Sequence, residues 1–277
     1  MPAARVSDLH RTAFVTGAST GLGRAFCQML LADGVSVWGT SRDIARLDPL
    51  VARYTTLFTP VALDLRNGAH AEAVFREAEV EAGGFDLVIN NAGFGAFGQF
   101  VATDFSVWQQ QIEVMLVNTA RLSHAALRGM TARNRGALVN ISSIAAEFPL
   151  PFQSAYNITK AGLSALNESL MIETAGTGVV IIDFRPGDYR TDFEGSVLRP
   201  PGEATPRMER SWAAFKTMME SGPAPAHAAA SLRRALLKNR SGTVRTGRFF
   251  QAVLAPFLAR FGSRALVRRI HAKYFDV

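Results

Sequence analysis

Four residues of strand-forming character, Thr12-Ala13-Phe14-Val15, run directly into Thr16-Gly17-Ala18-Ser19-Thr20-Gly21-Leu22-Gly23 and then into an amphipathic stretch over 24–32. This order predicts a strand, a glycine turn and a helix. Glycines allow a tight turn and close backbone approach to a pyrophosphate, and a helix amino terminus supplies unpaired N–H groups and a positive dipole end. The spacing G-x-x-x-G-x-G meets the mechanism of dinucleotide binding without the letter of the G-x-G-x-x-G pattern. A glycine turn with only a structural role would fit the same residues.

Apolar runs at 35–39, 57–63, 85–89, 137–141 and 179–184 read as buried parallel strands, with helical patterns between them. Alternation of this kind predicts an α/β fold: a doubly wound Rossmann-type parallel sheet with helices on both faces, a three-layer αβα sandwich whose ligands bind at the carboxyl ends of the strands. The 277 residues suit a single domain over 1–277.

Chemistry concentrates at Tyr156-Asn157-Ile158-Thr159-Lys160, with Ser143 thirteen residues upstream. A phenol titrates near pH 10, so only about 0.1 % is ionised at neutral pH. Residues four apart share a helix face, and a lysine there would favour the phenolate by its charge. A plain surface pair has the same spacing.

Taken with Thr16–Gly23, Asn90-Asn91-Ala92-Gly93, Asn118, the Ser142-Ser143 pair and Pro186-Gly187-Asp188-Tyr189-Arg190-Thr191, these residues resemble the short-chain dehydrogenase/reductase family, in order and spacing over roughly residues 10 to 195. The resemblance implies catalytic roles for Asn118, Ser143, Tyr156 and Lys160. It implies dinucleotide contacts from Gly17, Ser19, Thr20, Gly21, Leu22 and Gly23, from Ser41, Arg42, Asp64 and Leu65, from Asn91, Ala92 and Gly93, and from Tyr156, Lys160, Pro186, Gly187 and Thr191. By the same resemblance Lys160 lowers the pKa of Tyr156 and holds the nicotinamide ribose, while Asn118 holds a water. Asp188 departs from the expected pattern and receives no role.

After the second strand, Ser41 stands where a carboxylate would grip a 2′-hydroxyl, and Arg42 follows. A guanidinium pairs with a 2′-phosphate, so NADP(H) is expected in preference to NAD(H), although an arginine paired with Asp43 in solvent is the simpler alternative. The substrate side is less legible. Phe94, Phe97, Phe100, Phe148 and Phe152 are candidates for an apolar pocket or for ordinary packing, and 192–222, with Pro200, Pro201, Pro206, Trp212, Phe215 and Met218, is expected to form a lid.

From Ser231 onward eleven Lys and Arg face one acid, Asp276, so the local excess of ten outweighs the +7 of the whole chain. Acidic partners such as nucleic acid, anionic lipid or an acyl carrier protein are the classes this invites, and the absence of an aromatic-basic array argues against nucleic acid. In the extension 249–277, Phe249, Phe250, Val253, Leu254, Phe257, Leu258 and Phe261 form an apolar stripe flanked by Arg248 and Arg260, with Pro256 predicting two short helices or a kink. Three fates fit it: part of the substrate wall, an interface within a homodimer or homotetramer, or a peripheral contact with an anionic membrane. Residues 1–7 have no apolar h-region and Cys27 is a lone cysteine expected in the core, so a cytoplasmic location is expected. The five histidines do not cluster, and no metal site is expected.

Three functions remain open: an NADP-dependent reductase or dehydrogenase for an apolar or aromatic carbonyl or alcohol, a 3-ketoacyl-carrier-protein reductase, and a non-catalytic NADP-binding sensor. The paired Tyr156 and Lys160 argue against the last.

Overall fold

A computed structural model describes residues 4–199, 204–259 and 261–275. The chain forms β1 (Thr12–Val15), α1 (Gly21–Ala32), β2 (Ser36–Ser41), α2 (Asp48–Arg53), β3 (Phe58–Ala62), α3 (Gly68–Glu81), β4 (Leu87–Asn90) and a two-residue strand β5 (Gly95–Ala96). It continues with α4 (Phe105–Ile112), α5 (Asn118–Ala132), β6 (Gly136–Ile141), α6 (Ser154–Glu173), β7 (Val179–Pro186), β8 (Val197–Leu198), α7 (Pro206–Glu220), α8 (Pro225–Lys238), β9 (Gly242–Thr246), α9 (Ala255–Ala259) and α10 (Arg264–Tyr274).

Seven strands make one sheet in the order β3-β2-β1-β4-β6-β7-β9, and every pairing in it is parallel. Side chains on successive strand residues point to opposite faces, and the core divides accordingly. Ala13 and Val15 pack with Phe26, Leu30, Leu232 and Leu236 of α1 and α8, whereas Phe14 packs with Phe75, Leu122 and Met130 of α3 and α5. Phe14 anchors its layer by an edge-on contact with Phe75 at 5.0 Å and a tilted one with Phe85 at 5.3 Å. The doubly wound αβα architecture expected from the alternating pattern is thus present.

β9 is a strand that the apolar runs did not announce. Its residues Gly242-Thr243-Val244-Arg245-Thr246 are mostly half-buried, because it is an edge strand paired on one side only, along β7. Cys27 is fully buried. Among the described residues, no helix is long and apolar enough to cross a membrane.

Candidate active site

Parallel pairing brings the carboxyl ends of β1, β4, β6 and β7 to one edge, and a single cavity of about 1380 Å³ opens there. The glycine turn and the Asn91-Ala92 turn are locked together. The hydroxyl of Thr16 accepts hydrogen bonds from the amides of Asn91 (2.9 Å) and Ala92 (3.0 Å), and Asn91 Nδ2 returns one to the Thr16 carbonyl (3.0 Å). Gly17 and Gly21 hold positive φ of 70° and 52°, and a Cβ on Gly17 would stand 3.0 Å from the Ala92 Cα. No side chain caps the amino end of α1. That bare cradle fits a pyrophosphate. Gly23 lines no part of the cavity; it lies beneath the turn, where a Cβ would overlap the Gly17 carbonyl, so its role is close packing of helix on strand.

At one end of the cavity Ser41, Arg42, Asp43 and Arg46 follow β2. The Ser41 hydroxyl is already engaged by the Asp43 amide (3.2 Å), and Asp43 accepts from the Ala45 amide (3.2 Å), so its carboxylate caps a helical turn instead of pairing with Arg42. Asp64 is bound by Arg66 at 2.6 Å, which holds its carboxyl below the usual range. Leu65, Ser19, Thr20, Leu22, Gly93 and Thr191 also face the cavity. Arg46 and Arg66 add two cations to this end that the sequence motifs did not single out.

Ser143, Tyr156 and Lys160 meet at the other end, beside Pro186 and Gly187. Ser143 is placed by the end of β6, its hydroxyl accepting from the Ala145 amide (3.0 Å) and reaching the Pro186 carbonyl (3.4 Å). Its neighbour Ser142 is tied to the buried carboxylate of Asp183. Lys160, buried one turn after Tyr156 on α6, donates from Nζ to the Ile141 carbonyl at 2.7 Å and lies 5.5 Å from the centroid of the Tyr156 ring. Burial lowers its pKa to about 8, against the opposing charge of Asp183.

Tyr156 behaves differently from the expectation that Lys160 lowers its pKa. Loss of water around the phenol raises it to about 12; the hydrogen bond with Ser143 acts downward, and the charge of Asp188 acts upward again. The lysine is itself desolvated and commits its ammonium to a backbone carbonyl, so it is Ser143 that favours the phenolate here.

Asn118 is not brought to the cavity. Its Nδ2 donates to the Leu65 carbonyl at 2.8 Å, and its Oδ1 lies buried against Gly68. A π turn, Glu113–Val117, lies between α4 and α5, and Val114 and Met115 of that turn line the cavity. Met115 Sδ accepts the Phe94 amide at 3.4 Å. Asn90 is likewise turned inward, donating to Ser123 (3.0 Å) and Asn140 (2.9 Å).

The substrate side is apolar. Phe94, Phe148, Leu150, Phe193, Phe215 and Met219 line it, and Phe193 sits 5.9 Å from the Tyr156 ring. Phe97 is buried outside it between Phe152 and Trp212, and Phe100 stacks on Trp108. Of the residues expected in a lid, Phe215 faces the cavity and Met218 does not, its neighbour Met219 doing so instead; Pro206 opens α7, and Pro200 and Pro201 lie outside the described residues. The carboxyl-terminal segment closes the far wall through Phe250, Gln251, Leu258, Phe261, Leu266, Ile270 and Tyr274. It does so as two short helices, with Pro256 in the first turn of α9. Arg260 and Asp276 lie outside the described residues.

Asp188 contributes a carboxylate to this apolar wall, its pKa raised by burial. It is fastened by Gln251, 63 positions further along the chain, a separation that leaves no motif to read.

Comparison with known proteins bears on the family and the fold. Residues 11–201 match the family model described as short chain dehydrogenase. The chain is 35 % identical over 188 residues to a short chain dehydrogenase of Pseudocercospora fijiensis, an alignment covering 66 % of this chain and 61 % of that protein. It is 31 % identical over 183 residues to the 3-oxoacyl-[acyl-carrier-protein] reductase of Vibrio cholerae, covering 66 % of this chain and 75 % of the relative. A crystal structure of a short-chain dehydrogenase from Streptomyces avermitilis superposes with a TM-score of 0.83 at 30 % identity over 97 % of both chains. With the match reaching from the glycine turn through Tyr156 and Lys160 to the loop after β7, the chain belongs to the short-chain dehydrogenase/reductase family.

Proposed function

We propose that this oxidoreductase interconverts a carbonyl and a secondary alcohol on an apolar or aromatic small molecule, with NADP(H) as the preferred cofactor and Tyr156 as the acid and base. The observation that carries the reading is the meeting of Ser143, Tyr156 and Lys160 at the apolar end of the same cavity that begins at the glycine turn. The dinucleotide would be held by Gly17, Ser19, Thr20, Gly21 and Leu22 at its phosphates, by Ser41, Arg42, Asp64 and Leu65 at its adenosine, and by Asn91 to Gly93, Lys160, Pro186, Gly187 and Thr191 toward its nicotinamide. When bound it supplies or accepts a hydride.

In reduction, Tyr156 gives its proton to the developing alkoxide, and Ser143 donates a hydrogen bond to the same oxygen. The raised phenol pKa keeps that proton in place at neutral pH. Lys160, held by Ile141, keeps a positive charge beside the ring. Oxidation reverses each transfer. Arg42, free of Asp43, supports selection of the 2′-phosphate, with Arg46 beside it. The 192–222 segment acts as a lid, since Phe193, Phe215 and Met219 cover the reacting end.

A second reading, reduction of a 3-oxoacyl group on a carrier protein, is favoured by the printed activity of the Vibrio cholerae relative. A panel of aromatic ketones, aliphatic ketones and 3-oxoacyl thioesters, followed by NADPH absorbance, separates the two. Turnover confined to the thioesters would overturn the first reading, and no turnover on any member with bound NADPH would overturn both.

A further inference from the structure

The carboxyl-terminal segment presents apolar side chains on two sides. One set faces the cavity; the other, Phe249, Val253 and Phe257, takes no part in the cavity wall and stands 72, 51 and 60 % exposed. These three recur every fourth residue, through the π turn Phe250–Leu254 into α9, and so share one side. Single exposed apolar residues are ordinary, but three aligned on one side of the segment form a surface that water does not stabilise.

From residue 248 onward the exposed charged side chains among the described residues are all basic. Arg248, Arg268, Arg269 and Lys273 are exposed, and from residue 248 onward the sequence holds six Lys and Arg against the single acid Asp276. On α10 Arg268 and Arg269 lie off the side that carries Leu266, Ile270 and Tyr274, which faces the cavity, while Lys273, seven residues after Leu266, borders that side. An exposed apolar side in a segment this basic matches an anionic bilayer surface, in which such a helix lies flat with its apolar side about 5–10 Å deep. Each basic residue near such a surface strengthens binding about fivefold. A copy of this chain would bring the same cations against one another and is disfavoured by charge.

We propose that residues 248–275 are a docking surface for anionic lipid: Phe249, Val253 and Phe257 enter the interface, and Arg268, Arg269 and Lys273 meet the headgroup phosphates. Docking is independent of the reaction assigned above.

The test is sedimentation of the full chain with vesicles of phosphatidylcholine alone or mixed with phosphatidylglycerol. The protein is expected to pellet with the mixed vesicles, to remain in the supernatant with phosphatidylcholine, and to be released in about 1 M salt, where the screening length is about 3 Å. The F249S/V253S/F257S variant should lose binding about tenfold or more while keeping its NADPH affinity, which reports the fold. R268E/R269E, altered only at exposed positions of α10, should lose it similarly and serves if the first variant does not fold. Failure of the wild type to pellet with the mixed vesicles overturns the proposal. So does equal binding to both vesicles, or a wild-type dimer in sedimentation equilibrium that the first variant converts to monomer.

Discussion

Gln251 holds Asp188 at two points: its Oε1 accepts the Asp188 backbone amide at 3.3 Å, and its Nε2 donates to the Asp188 carboxylate. The π turn before α9 is thereby fastened to the loop after β7, alongside the bond from Arg248 to the Ser221 carbonyl.

Gln251→Ala should loosen the carboxyl-terminal wall of the cavity. A hydrogen bond to a charged group contributes about 1.5–3 kcal/mol, so amide exchange over 249–275 should speed up about 10- to 150-fold while β1 and β4 are unchanged. Unaltered exchange across α9 and α10 would show that packing alone holds the segment.

Arg42→Ala should weaken NADP(H) about 10- to 150-fold and leave NAD(H) nearly untouched, because only the 2′-phosphate needs the guanidinium. Titration calorimetry with both cofactors checks this. Because Arg46 also lines that end of the cavity, the R42A/R46A pair should lose more than either alone. Equal losses for both cofactors would contradict the assignment.

Two shifted pKa values set the pH profile of reduction. Tyr156, raised to about 12, keeps its proton across the working range, whereas Lys160, lowered to about 8, loses its charge as pH rises through that value. Reductive kcat/KM should therefore be level at low pH and fall about tenfold per pH unit above about 8. Lys160→Met should act at a lower rate without that descending limb. A wild-type profile level to about pH 10, the ordinary range of a tyrosine or lysine, would contradict the ammonium's role.

Asn118→Ala should cost stability and spare turnover. The bond from Nδ2 to Leu65 is lost, worth about 1 kcal/mol, and no cavity wall changes. Denaturant unfolding and steady-state kinetics separate the two effects; a turnover loss of about 100-fold in folded protein would restore Asn118 to the chemistry.

The parts of the molecule legible in the sequence are those with local periodicity. Apolar runs revealed six of the seven main-sheet strands, because buried parallel strands need continuous apolar residues. β9 escaped notice because an edge strand tolerates Thr243 and Arg245. The bond of Asn118 to the Leu65 carbonyl spans 53 positions and leaves no spacing to read. Gln251 and Asp188 lie 63 positions apart, and the cations Arg46 and Arg66 join Arg42 only through the ends of β2 and β3, so neither grouping leaves a spacing to read.

The central claim is that the Tyr156 hydroxyl moves the proton. Tyr156→Phe keeps the ring and removes only that group, so NADPH oxidation with the best carbonyl of the panel should fall about 100- to 10,000-fold while the NADPH dissociation constant stays the same. Wild-type turnover in the folded, NADPH-bound variant would contradict the account.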